Sequence, residues 1–177
     1  MGVRTVRLGS SGRCGRGRPD GAAGFGFIRS ARVCEGMFDH ILVPTDGSDH
    51  AVRAAEYAVD LAATYGAALH VLYVVDVRTG HADAPVDDDS QTRGEAAVGV
   101  VADRAADRDV PVETEIRVGL PHETIIDYGE ERDIDLVVMG THGTSGLERY
   151  LLGSVAERVV RLSDVPVLCV PPADDDE

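Results

Sequence analysis

The chain has 177 residues, enough for one domain with a good-sized core. Seventeen basic side chains stand against 31 acidic ones, a formal net charge of −14, and lysine is absent altogether. That balance excludes a nucleic-acid-binding face on the acidic part of the chain, because phosphate contacts require a basic surface.

Residues 1–36 differ in composition from the rest. They hold seven arginines against Asp20 and Glu35 and are rich in glycine, with almost no hydrophobic periodicity. The run from Gly21 to Ile28 is too short and too glycine-rich for a secretory h-region. The expectation is a dispensable, disordered leader, with Met37 as the natural start; a basic arm for nucleic acid is the alternative. The remaining chain carries ten arginines against twenty-nine acids, with Asp outnumbering Glu. So negative a surface repels itself at low salt, and it resembles proteins of salt-loving archaea, whose cytoplasmic salt screens the repulsion.

From Phe38 onward, strand and helix patterns alternate. Ile41-Leu42-Val43 is a short apolar strand, which Pro44 is expected to end. Ser48 suits a helix N-cap, and Ala51, Ala54, Ala55, Ala58, Val59, Ala62 and Tyr65 recur at the spacing of one buried face, with Gly66 as the stop. Leu69 to Val75 is β-branched and reads as a strand. Residues 76–92 form a polar loop whose Asp83, Asp87, Asp88 and Asp89 read as solvated surface. A helix over 91–108 is expected to bury Ala96, Ala97, Val100, Val101 and Ala105. Val112, Thr114, Ile116 and Val118 alternate as a strand, and Pro121 opens a helix using Ile125, Ile126 and Tyr128. Asp135 to Met139 is a fourth strand, Ser154 to Leu162 a fourth helix and Pro166 to Val170 a fifth strand, followed by the acidic tail 172–177.

This alternation predicts an α/β fold with a parallel sheet covered by helices on both faces, and ligands beyond the carboxyl ends of the strands. Three loops qualify as crevice walls: Pro44 to Ser48, Val74 to Val77, and Gly140 to Ser154. The third is the most telling. Gly140-Thr141-His142-Gly143 follows a strand, and Gly153-Ser154 opens a helix ten residues later. Glycine at a strand end lets a ligand approach the backbone, and a helix start presents free N–H groups where phosphate binds well. Together they read as the two lips of a polyphosphate cradle. A Walker A loop is excluded because the chain has no lysine, and the dinucleotide fingerprint requires tighter glycine spacing after the first strand.

Those segments, with Ile41 to Ser48 and Val165-Pro166-Val167-Leu168-Cys169-Val170, resemble the universal stress protein family, its ATP-binding branch, over residues 37–171. The resemblance implies a five-stranded Rossmann-like sheet ordered 3-2-1-4-5, similar to the adenine-nucleotide α-hydrolases, and a homodimer paired through the fifth strand, Val165 to Val170. It also implies ATP with Mg²⁺ or Mn²⁺ as the ligand. Pro44, Thr45 and Asp46 flank the adenosine in this reading, with Asp46 on the ribose or a phosphate-bound cation. The backbone at Val74 and Val75 meets the adenine edge. Gly140, His142 and Gly143 cradle phosphate from one side, and Gly153, Ser154 and Val155 from the other.

Asp46 is alternatively a helix-dipole charge, and His142 alternatively a polar loop residue. His40, His50, His70 and His122 read as incidental. Arg149 is a candidate counter-charge for phosphate. No Ser/His/Asp set or Cys/His pair is assignable. Cys14, Cys34 and Cys169 lack metal spacing, Cys169 reading as a small core residue, and no stretch is long and apolar enough to span a bilayer. The expected function is a cytoplasmic, ATP-binding, stress-linked sensor or switch with at most slow ATP hydrolysis. The alternatives are an ATP-dependent substrate-activating enzyme or a dimerisation scaffold without nucleotide.

Overall fold

The computed structural model describes residues 36–77, 88–142 and 152–172. The leader, the acidic loop from 78 to 87, Gly143, Thr144, Ser145 and Arg149, and the tail beyond Pro172 lie outside the described residues.

Nine elements alternate along the chain: β1 (His40–Thr45), α1 (Asp49–Tyr65), β2 (Ala68–Asp76), α2 (Asp88–Ala106), β3 (Val112–Gly119), α3 (Pro121–Glu131), β4 (Leu136–Gly140), α4 (Ser154–Leu162) and β5 (Val167–Val170). The strands form one sheet in the order β3-β2-β1-β4-β5, and every pairing is parallel. Alternating side chains divide the core in two, as the two-residue period of a strand requires. Ile41, Val43, Leu69, Val71 and Val138 meet the alanine stripe of α1 and the inner face of α2. Leu42, Leu72, Val137 and Met139 meet Ile125 and Tyr128 of α3 and Ala156 and Val159 of α4.

The ends of α1 follow from local chemistry. Ser48 Oγ accepts the Ala51 N–H at 3.3 Å, and Gly66 closes the helix at φ 73°, a left-handed conformation that glycine adopts without strain. Six of the seven expected stripe residues are buried. The seventh, Tyr65, is half-buried and meets Phe38 edge to face at 5.2 Å.

Two local expectations are corrected. Pro44 does not end β1, which continues through Thr45. Its ladder with β4 is registered at Ile41 and Leu42 only, so Pro44 lies beyond that pairing and its missing N–H removes no bond to β4. In α2, Ala96 and Val100 face outward, Val100 being 44% exposed, while Gly94 and Val98 are buried with Ala97, Val101 and Ala105. The cause is a close approach: a methyl group on Gly94 would lie 2.9 Å from the Tyr73 ring and 3.0 Å from Ile116. That contact rotates the helix to a stripe centred on 94, 98, 101 and 105. Cys169 is half-buried beside the α3/α4 core, and burial pushes its thiol up from the ordinary cysteine range.

Candidate functional site

β1 and β4 are adjacent in the middle of the sheet, and their crossovers leave in opposite directions, β1 to β2 and β4 to β5. A crevice opens beyond the carboxyl ends of strands at such a point. Three segments end on that side of the sheet.

The first wall is the turn after β1. Thr45 is buried, and its Oγ1 accepts the Gly47 N–H at 3.2 Å. Asp46 is exposed, and its Oδ1 accepts both the N–H of Ser48 at 3.0 Å and its hydroxyl at 2.6 Å. Asp46 thus braces the residue that caps α1 while standing at the mouth of the crevice. The second wall is the end of β2. β1 ends at Thr45, opposite Tyr73, so Val74 and Val75 run past it with β3 as their registered neighbour. Their β1-side edge is not covered by that strand.

The third wall joins β4 to α4. Gly153 N donates to Thr141 O at 2.7 Å, and Thr141 N donates to Val170 O at 3.1 Å, so the strand end, the helix start and β5 are tied together. Both glycines are close-approach positions. A Cβ on Gly140 would lie 3.0 Å from the His50 carbonyl oxygen, and one on Gly153 would lie 3.0 Å from the Thr141 carbonyl oxygen. The Gly153 N–H is therefore committed within the protein. Ser154 and Val155, in the first turn of α4, carry N–H groups with no acceptor inside the helix, and Gly153, the N-cap, offers no side chain to take them. Ser154 itself is exposed.

Two imidazoles complete this corner. His142 Nδ1 bonds the Thr141 hydroxyl at 3.0 Å, whereas its Nε2 is buried with no hydrogen-bond partner among the described residues. The His50 ring, in the first turn of α1, lies 5.9 Å from it. A buried nitrogen without a partner costs free energy in the absence of a ligand. The His142 backbone lies at the α4 start, where a Cβ on Gly153 would stand 3.5 Å from its Cα. Sequence reading passed over His50. Its position, two residues after a serine N-cap, set it at the helix start, but its neighbour lies ninety-two residues away in sequence and carries no local signal.

Of the expected site residues, Pro44, Thr45, Asp46, Val74, Val75, Gly140, His142, Gly153, Ser154 and Val155 all lie at the carboxyl ends of β1, β2 and β4 or the amino end of α4. Gly143 and Arg149 lie outside the described residues. No group of three or more His, Cys, Asp or Glu side chains among the described residues could hold a metal ion. No described helix is long and apolar enough to cross a membrane.

Comparison with known proteins gives one answer. The universal stress protein family matches residues 37–171. The universal stress protein MJ0531 of Methanocaldococcus jannaschii is 38% identical over 143 residues, covering 77% of this chain and 84% of its own. Among solved structures, MJ0577 superposes with a TM-score of 0.71 at 28% identity, over 79% of this chain and all of its own. A universal stress protein solved in complex with cAMP superposes with a TM-score of 0.60 at 28% identity, over 76% of this chain and 98% of its own.

Proposed function

We propose that this chain, which belongs to the universal stress protein family, binds ATP with Mg²⁺ or Mn²⁺ in the strand-end crevice and acts as a stress-linked sensor or switch. The observation that carries this reading is the corner at the α4 start where His142 Nε2 is buried and has no hydrogen-bond partner among the described residues. In the tautomer whose Nδ1 accepts from the Thr141 hydroxyl, Nε2–H donates to a phosphate oxygen there, which also meets the positive end of a helix dipole. The relative in complex with cAMP supports an adenine nucleotide as the class of ligand.

In this reading the uncovered edge of Val74 and Val75 takes the adenine, and Pro44 and Thr45 floor the nucleoside. Asp46 accepts from the ribose or holds the phosphate-bound cation. His142 with the amides of Ser154 and Val155 holds the phosphates, and Gly143 continues the cradle. Gly140 and Gly153 act by shape, letting the start of α1 approach the end of β4 and the start of α4 approach Thr141. In this reading hydrolysis is slow and the bound state itself is the signal.

The exposed apolar side chains of α4 and β5 support a homodimer through the fifth strand. Val160 is 45%, Leu162 57% and Leu168 38% exposed. Titration calorimetry in molar KCl tests the ligand. One ATP per chain is expected in the presence of Mg²⁺, with affinity reduced at least tenfold by His142→Ala. Absence of binding contradicts the reading and favours the scaffold. Rapid steady-state turnover of ATP favours the activating enzyme.

A further inference from the structure

The opposite end of the sheet carries a second polar cluster, built from residues far apart in sequence. His40 Nδ1 lies 3.1 Å from His70 Nε2, and His70 Nδ1 lies 3.1 Å from the Tyr128 hydroxyl. His70 is 4% exposed and Tyr128 fully buried, while His40 is half-buried at the start of β1. We propose that His40, His70 and Tyr128 form a hydrogen-bond relay that reverses direction on uptake of one proton and so makes the seating of α3 on the sheet responsive to pH.

The geometry dictates a relay. Across 3.1 Å the two facing imidazole nitrogens have room for one hydrogen, so one ring donates and the other accepts. Whichever nitrogen of His70 carries its hydrogen therefore fixes the direction of both bonds. The relay assigns the neutral arrangement to the tautomer in which the Tyr128 hydroxyl donates to His70 Nδ1 and His70 Nε2–H donates to His40 Nδ1. When one proton is added, the His70 Nε2–H bond breaks and a His40 Nδ1–H bond forms. The incoming proton ends on His70 Nδ1, which then donates to the Tyr128 oxygen. The charge resides on His40, the ring nearer solvent, and His70 stays neutral with its other tautomer.

The surroundings support this distribution. Burial lowers the His70 imidazole below its ordinary range, so the charged form is disfavoured there. Burial also pushes the Tyr128 hydroxyl up to about 12, so it keeps its hydrogen at physiological pH. From β3, Glu113, Glu115 and Arg117 face the cluster. Glu131 of α3 accepts from Arg117, Arg132 just past the helix donates to Glu113 and Glu115, and Asp135 ahead of β4 accepts the backbone N–H of His40 at 2.8 Å. Glu113 and Glu115 favour a proton on His70 while His40 and Arg132 oppose it, and burial is the largest influence of all. Arg117 and Arg132 also sit over the Tyr128 ring, at 4.7 and 5.4 Å from its centroid. Reversal turns the Tyr128 hydroxyl from donor to acceptor in its bond to His70. That weakens the contact by which α3 grips β2.

Nitrogen-15 NMR of the histidine side chains in the full chain, from about pH 8 to about pH 5.5, tests the relay. As His40 becomes doubly protonated, the His70 hydrogen should move from Nε2 to Nδ1 while that ring remains neutral. Amide exchange around Tyr128 should rise several-fold over the same range. In His40→Asn the His70 tautomer should stay unchanged. The proposal is overturned if His70 keeps its hydrogen on Nε2 while His40 titrates, if His70 becomes doubly protonated first, or if the tautomer still switches in His40→Asn. None of these outcomes depends on nucleotide.

Discussion

His70 sits where a charge is expensive, and its effect on stability has a definite sign. Its folded-state pKa is lowered, so the unfolded chain binds a proton that the native chain resists. The stability due to neutral His70 is complete above the unfolded value of about 6.5 and is lost as pH falls below it. A second window lies lower. Hydrogen bonding to Arg117 lowers the Glu131 carboxyl, and the stability this gives is lost only as pH falls below the ordinary glutamate range. Urea midpoints measured between about pH 7.5 and 5.5 should therefore decline in the native sequence and decline less steeply in His70→Gln. An equal slope in both proteins contradicts the assignment. Gly140→Ala tests a different residue-scale claim. Its Cβ would lie 3.0 Å from the His50 carbonyl oxygen, so either the start of α1 or the end of β4 must move. A loss of about 1–3 kcal/mol in denaturant unfolding is expected, typical of overpacking against backbone. No measurable loss would show that the contact relaxes freely.

At the scale of elements, each helix end has its own cause, and the α1 cap is the most testable. Ser48 joins the Asp46 carboxylate to the Ala51 amide, so Ser48→Ala should cost about 1 kcal/mol of stability and loosen Asp46 as well. Thermal unfolding together with Mg²⁺-ATP affinity reads both effects, and a change in stability with no change in affinity would separate Asp46 from the ligand. The same helix shows what was legible in the sequence. Its alanine stripe and N-cap marked the buried face because the contrast with polar neighbours was strong. On the α2 face Ala97, Val101 and Ala105 were read correctly and Ala96 and Val100 were not, because Gly94, Ala96 and Ala97 offer little contrast and a tertiary contact with Tyr73 set the rotation. The strand order was carried by family resemblance rather than by periodicity, which is silent on which strands are neighbours. Most of the crevice was legible because glycines and a helix start mark strand ends locally. His50 and the His40–His70–Tyr128 chain were not, because their partners are brought together only by the folded sheet.

For the whole molecule, charge is the dominant global property. A formal net charge of −14 without lysine implies self-repulsion that salt relieves, since the Debye length shrinks from about 10 Å at 0.1 M to about 3 Å at 1 M. The melting temperature should rise steadily with KCl across that range; a flat or falling response would contradict a charge-limited fold. The central claim is the location of the nucleotide, and hydrogen exchange of the full chain with and without Mg²⁺-ATP in molar KCl tests it most directly. Protection is expected at Val74, Val75 and His142 and at the first amides of α4 from Ser154 to Ala156, with the start of β1 and the body of α3 unchanged. Binding that leaves those amides unprotected, or protects another surface instead, would contradict the account.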